Sequence, residues 1–205
     1  MRVFILGANG RTGSELVDLA LARGHQVTAF VRSPEKITRQ DARLRVVKGD
    51  PHDPAAMAKA MEGHDAVFSA LGPRPGEAFR GTTLLHDCAA STVKAMKESG
   101  VDKILFVSSA LLFPRIPLIL SFLPILFRHH IADLRRSEAI LKESALDWTV
   151  ARPPRLVRTK DERYRSLEGA FLPGALQMSF RAVALFLLDS AEKGLHPRKV
   201  VGLAS

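Results

Sequence analysis

Three places in the chain carry residue types that could do chemistry. Gly7-Ala8-Asn9-Gly10-Arg11-Thr12-Gly13 has the composition and spacing of an anion cradle. Glycine at every third position permits a tight turn and lets backbone N–H groups approach a ligand closely. A helix opening inside the segment adds unpaired N–H groups and positive potential, which suits a pyrophosphate. Arg32 follows the apolar run His25–Val31, where a site for a ribose 2′-hydroxyl would carry an acid. A guanidinium there suits a 2′-phosphate through forked, charge-assisted hydrogen bonds, with Ser33 and Lys36 at hand to assist. Ser108 and Ser109 close the apolar run that starts at Lys103. Their hydroxyls either face a ligand at the sheet edge or bond to the backbone of their own turn.

The elements that must hold these residues read as alternating strands and helices. Val3–Leu6, His25–Val31, Leu44–Lys48, Ala66–Ala70, Lys103–Ser108, Asp147–Ala151 and Lys199–Leu203 are expected strands. Helical spacing covers 11–24, about 54–61, 82–99, 130–143 and 179–190. Asp53-Pro54 is a helix start, with Asp as N-cap and Pro at the first helical position. Gly72 to Gly81 reads as a loop, and the basic stretch after Pro154 as irregular. This alternation implies βαβ crossovers. The expected architecture is α/β: one Rossmann-type, doubly wound parallel sheet with helices on both faces, in a single domain over 1–205. The glycine cradle then falls directly after the first strand and opens the first helix, the context that gives such a motif meaning.

Composition narrows the function classes. Forty-six per cent hydrophobic and 25% charged residues describe an ordinary globular chain, not a disordered or fibrous one. One cysteine, Cys88, excludes a disulfide framework and a multi-cysteine zinc site; its place among Ala89 and Ala90 is that of a packing residue. The seven histidines show no metal spacing, and His129-His130 are expected to flank a helix at the surface. No metal is expected. A net charge of +9 points to anionic partners, but no run of five like charges occurs, and there is one Trp and one Tyr for base stacking. A small, phosphate-bearing ligand is expected, not a nucleic acid. No signal peptide is read at the N-terminus, so a cytoplasmic protein is expected. The apolar stretch Ile116–Phe127 is 12 residues long and contains Pro117 and Pro124. A membrane span needs about 20 apolar residues, so 111–128 is read as an insertion: a lid, a pocket wall or a peripheral membrane contact.

Gly7–Gly13, Val31-Arg32, Gly49-Asp50, Ala70-Leu71-Gly72, Gly100-Val101-Asp102-Lys103, Ser108-Ser109-Ala110 and Leu146-Asp147-Trp148-Thr149 together resemble the atypical short-chain dehydrogenase/reductases. The resemblance is to the NAD(P)H-binding branch near biliverdin-IXβ reductase/flavin reductase and the NmrA-like redox sensors, and covers the chain except 111–128 and 156–178. It implies that Gly7, Asn9, Gly10, Arg11, Thr12 and Gly13 line the pyrophosphate of NADPH and that Arg32 holds its 2′-phosphate. It further implies Asp50 and Pro51 beside the adenine, and Leu71 and Gly72 beside the nicotinamide ribose. Ser108 is counted with the cofactor contacts, Ser109 matches an active-site serine, and Pro153 would abut the carboxamide.

The departures shape the expected chemistry. The common Tyr-x-x-x-Lys pair is absent: the single tyrosine, Tyr164, is followed four residues on by Glu168. The flavin-reductase branch's histidines fall near Leu134 and Arg155. A site with little dedicated acid catalysis suits acceptors that need orientation more than protonation, namely flavins and quinones. The expected function is NADPH-dependent hydride transfer to such a planar acceptor, with Ser109 as the catalytic residue. The six basic residues from Arg152 to Arg165 read as a solvated loop or a rim that attracts an anionic acceptor. A non-catalytic NAD(P)H-binding sensor is the alternative, and a membrane-associated factor a third reading. Oligomeric state, monomer or homodimer, is left open.

Overall fold

A computed structural model describes residues 1–72, 83–118, 122–174 and 176–205. The loop expected over 73–81 and the expected helix start at Thr82 lie outside the described residues.

The first strand, β1 (Arg2–Leu6), is buried on both faces, as its unbroken apolar run requires for a central parallel strand. Beside it lie β2 (Gln26–Val31), β3 (Leu44–Lys48), β4 (Ala66–Ser69), β5 (Lys103–Val107), β6 (Asp147–Arg152) and β10 (Lys199–Ala204). Their order is β3-β2-β1-β4-β5-β6-β10, all parallel, and the antiparallel strand β8 (Arg165–Glu168) completes the edge beyond β10. Two more short strands, β7 (Arg155–Val157) and β9 (Gln177–Ser179), pair with each other outside the main sheet. The stretch after Pro154 is therefore not irregular, and the sheet is not wholly parallel. Its hydrogen bonds go to β10 and between β7 and β9, partners too far along the chain for local spacing to reveal.

Helices cover both faces. On one, α1 (Arg11–Ala22) packs against α6 (Phe180–Lys193), and the buried side chains Val3, Ile5, Leu16, Ala20 and Phe186 belong to one core. On the other, α3 (Leu84–Ser99) lies between α2 (Pro54–Met61) and α5 (Arg128–Glu143), over Phe4, Leu6, Met57, Ile104 and Trp148. The alternation of Val3 and Ile5 with Phe4 and Leu6 between the two cores is the period-two rule of a strand.

Two helix starts depend on particular side chains. At α2, Asp53 accepts the N–H of Ala56 at 3.0 Å, with Pro54 at the first position. Helix α3 has no such local cap. Asp133 of α5 accepts the N–H groups of Leu85 and His86 at 3.1 and 2.9 Å, so the start of α3 is satisfied from a neighbouring helix. Between β5 and α5 lie a 3₁₀ turn at Ala110–Leu112 and the one-turn helix α4 (Leu123–Leu126). Residues 119–121 of the expected insertion lie outside the described residues.

Candidate functional site

The strand order reverses at β1, whose neighbours are β2 and β4, and ligands bind at such a switch point beyond the carboxyl ends of the strands. Gly7 leaves β1 at φ +80°, a conformation that favours glycine. A Cβ on it would stand 2.6 Å from the carbonyl oxygen of Ala70 at the end of β4. Gly10 N–H closes the turn on the Gly7 carbonyl at 2.8 Å. A Cβ at Gly13 would sit 2.1 Å from that same carbonyl, so α1 can start this close to β1 only with glycine there. Gly10 caps α1 with no side-chain hydrogen bond, and the first turn holds no acidic residue. The helix thus presents its positive end, and backbone donors without a side-chain cap, at the switch point.

Two cavities share this turn. One, of about 250 Å³, runs from Gly7, Asn9 and Gly10 to Arg32, Ser33 and Lys36 on one side and to Pro51, Leu71 and Gly72 on the other. It brings together six of the expected cofactor residues and Arg32. Among the described residues no ion pair holds Arg32. Asn9 is anchored by its side-chain N–H donating to the Ser33 carbonyl at 2.8 Å, which ties the glycine turn to the Arg32 loop. Asp50 does not line this cavity; its carboxylate accepts the backbone N–H of His52 at 3.0 Å and lies 2.8 Å from the His52 ring, bonds that hold it below the usual carboxylate range. Cys88 lines the cavity from α3, and burial, with the nearby Asp50 charge, pushes its thiol up to about 12. It is a packing residue, not a nucleophile.

The second cavity, of about 460 Å³, lies on the α1 side of the turn and is lined by Asn9, Gly10, Arg11, Arg158, Lys160 and Phe180, among others. The Arg11 guanidinium lies 5.5 Å from the Phe180 ring centroid. Thr12 and Gly13 are buried behind the turn and line neither cavity. Arg158 and Lys160, expected only as part of a diffuse basic rim, are thus placed against the glycine turn. No sequence signal links them to it, because the contact depends on how the chain returns after β6.

Ser108 and Ser109 point to different ends. Ser108 is buried and its hydroxyl donates to Glu138 of α5 at 2.7 Å. Its hydroxyl is committed to a buried cluster, and Ser108 lines neither cavity at the glycine turn nor the one beside Ser109. Arg152, at the end of β6, donates to both Glu138 oxygens at 2.9 and 2.6 Å and stacks 4.7 Å above the Phe113 ring. Arg152 is therefore not part of a rim. Burial pushes the Glu138 carboxyl up, but the Arg152 guanidinium, Ser108 and Lys142 outweigh it and hold Glu138 below its ordinary value. This cluster ties β5, α5, β6 and the 3₁₀ turn together. Backbone bonds reinforce it: Ser108 N–H to Ala151 at 2.7 Å and Ala110 N–H to Pro153 at 2.9 Å.

Ser109, held between those two bonds, faces a third cavity of about 440 Å³. Leu111, Leu123, Phe127, Phe171 and Leu176 give it apolar walls, and Pro153 and Arg155 stand at its side. Ser109 Oγ accepts the N–H of Leu111 at 3.3 Å, which leaves its own proton free to donate into the cavity. Part of the 111–128 stretch, through Leu111, Leu123 and Phe127, thus forms a wall beside Ser109. Tyr164 lines none of these three cavities. Its hydroxyl donates to Asp189 of α6 at 2.5 Å, and burial together with that carboxylate raises its pKa well above the ordinary tyrosine value. Among the described residues no cluster of His, Cys, Asp and Glu could hold a metal ion.

Known proteins resemble this chain in sequence and in fold. The profile of the NAD(P)H-binding family matches residues 7–193. An uncharacterized chloroplastic protein of Arabidopsis thaliana is 32% identical over 163 residues, covering 74% of this chain and 58% of its own. An uncharacterized sugar epimerase of Bacillus subtilis is 31% identical over 160 residues, covering 75% of this chain and 71% of its own. A short-chain dehydrogenase/reductase of Veillonella parvula, solved in complex with NADP, superposes with a TM-score of 0.83 at 23% identity, over 100% of this chain and 94% of that one. The chain thus spans little more than half of the plant relative's length.

Proposed function

The chain belongs to the NAD(P)H-binding family, and on that premise we propose that it is an atypical short-chain dehydrogenase/reductase, an NADPH-dependent reductase of a planar conjugated acceptor, a flavin or a quinone. The single observation that carries the reading is the pairing of two sites at one sheet edge. A glycine turn with Arg32, which has no ion pair among the described residues, lies at the end of β1, and an apolar cavity with a free serine proton lies at the ends of β5 and β6.

The cofactor's phosphates suit the residues present. Gly7 and Gly13 keep the turn open to close approach, and the start of α1 offers backbone donors. Arg32, with Ser33 and Lys36 beside it, holds a 2′-phosphate where an NAD site would place an acid. Arg11, Arg158 and Lys160 add positive potential on the far side of the turn. When bound, the reduced nicotinamide supplies a hydride, and one further proton completes the two-electron reduction of the acceptor.

The chain's own part at the acceptor is orientation. Leu123, Phe127 and Phe171 exclude water from a flat ring system, and Pro153 stiffens the chain beside it. Ser109 donates a hydrogen bond to the acceptor's carbonyl or holds the water that gives the proton. Tyr164, bound to Asp189, takes no part. That favours an acceptor whose own electronics accept a hydride over an alcohol–ketone or sugar substrate, which needs a placed acid.

Ser109→Ala tests this. Turnover with a flavin or quinone should fall about tenfold, as for one neutral hydrogen bond, while NADPH affinity stays unchanged. Unchanged turnover would remove Ser109 from the mechanism.

A further inference from the structure

The cavity beside Ser109 has an outer side. Leu123 and Phe127 face into the cavity, while Phe122, Ile125 and Leu126, on and beside the same turn, stand 58%, 71% and 54% exposed. Leu118, just before, is 88% exposed. Among the described residues five large apolar side chains are more than half exposed; these are four of them, and the fifth, Leu176, lines the cavity itself. Single exposed apolar residues need no explanation, but a cluster at the mouth of a cavity does.

The charge around the cluster has one sign. From Lys103 to Ala132 the chain contains no Asp or Glu. Arg115 and Arg128 bracket the segment and are exposed, as are Arg135 and Arg136 on α5 and Arg155 at the cavity. None of these arginines forms an ion pair among the described residues; Arg128 Nε reaches only the His129 ring, at 3.3 Å. A second copy of the chain fits this surface poorly. A two-fold contact would set each basic rim against its own image. An interface of acyl chains below and anionic headgroups above suits it: the apolar turn enters the boundary and the arginines stay at the phosphates.

We propose that the face formed by Leu118, Phe122, Ile125 and Leu126 with Arg115 and Arg128 docks the protein on an anionic lipid surface. The cavity then draws its acceptor from that surface as a lipophilic molecule, a clause that rests on the reductase reading above.

The test is sedimentation of the full chain with phosphatidylcholine vesicles, with and without phosphatidylglycerol. Binding should require the anionic lipid and weaken with salt, since each cation near such a leaflet adds roughly fivefold to partitioning. The double variant Ile125→Ser/Leu126→Ser should bind at least about tenfold more weakly, because two exposed apolar side chains no longer enter the boundary. Its NADPH oxidation with a short-tailed, water-soluble quinone should be unchanged, while turnover of a long-tailed quinone carried in the vesicles should fall with binding. Absence of sedimentation, or equal sedimentation of the double variant, would overturn the proposal. So would a soluble dimer that the double variant dissociates. If neither quinone is reduced by the unmodified protein, the reductase reading falls, and the lipid surface is judged by sedimentation alone.

Discussion

Replacing Glu138 by Gln keeps the side chain's shape and removes its charge. Glu138 is 1% exposed and Arg152 is 8% exposed, so the change leaves a guanidinium buried without a counter-charge. Among the described residues, Arg152 otherwise has only the Phe113 ring against its guanidinium. Breaking one side of such a pair costs about 3–5 kcal/mol. For a chain of this size each kcal/mol shifts Tm by about 2–4 °C, so Tm should fall by roughly 6–20 °C. Thermal unfolding followed by circular dichroism, with urea titration beside it, measures this. Replacing both partners, Glu138→Leu with Arg152→Met, should recover much of the loss, since neither charge is then buried. The pH dependence has a definite sign. Glu138 is held below its ordinary value in the folded state, so its contribution is complete above the unfolded carboxyl value of about 4.3. It is lost as pH falls through the folded value, and Glu138→Gln should flatten that acid limb. A cost under about 1 kcal/mol, or a double variant no better than the single, would refute the reasoning.

Other outcomes follow from the cofactor turn. Arg32→Ala should weaken NADPH about 10- to 100-fold and leave NADH nearly unchanged, from the loss of about 1.5–3 kcal/mol of charge-assisted bonding; titration by fluorescence checks this, and equal losses for both would refute it. Gly13→Val places a side chain where even a Cβ meets the Gly7 carbonyl at 2.1 Å, so α1 must shift; NADPH binding should be lost and Tm lowered, both read from one thermal-shift titration.

Much of this architecture is legible in the sequence for identifiable reasons. The strand β1, the turn from Gly7 to Gly13 and helix α1 are local: an apolar run, spaced glycines and a helical period occur within 22 residues. Asp53-Pro54 announces α2 in the same way. The strands β7, β8 and β9 are three or four residues long, and all four residues of β8 are exposed, so no alternation marks them. The two serines show the same limit in the site. Ser108 and Ser109 are adjacent and alike in sequence, yet one is committed to Glu138, 30 residues away, and the other faces a cavity. Only the packing of α5 against the ends of β5 and β6 separates them. Arg158 and Lys160 reach the glycine turn for a comparable reason, because the chain doubles back after β6.

The most direct test of the account is the loss of reduced-nicotinamide absorbance when the purified protein is given NADPH with flavin mononucleotide, and separately with a short-tailed quinone. The account predicts oxidation of NADPH that depends on protein and acceptor together, exceeds that with NADH, and falls in Ser109→Ala. Tight binding of NADPH with no acceleration by either acceptor would contradict it and leave an NAD(P)H-binding sensor in its place.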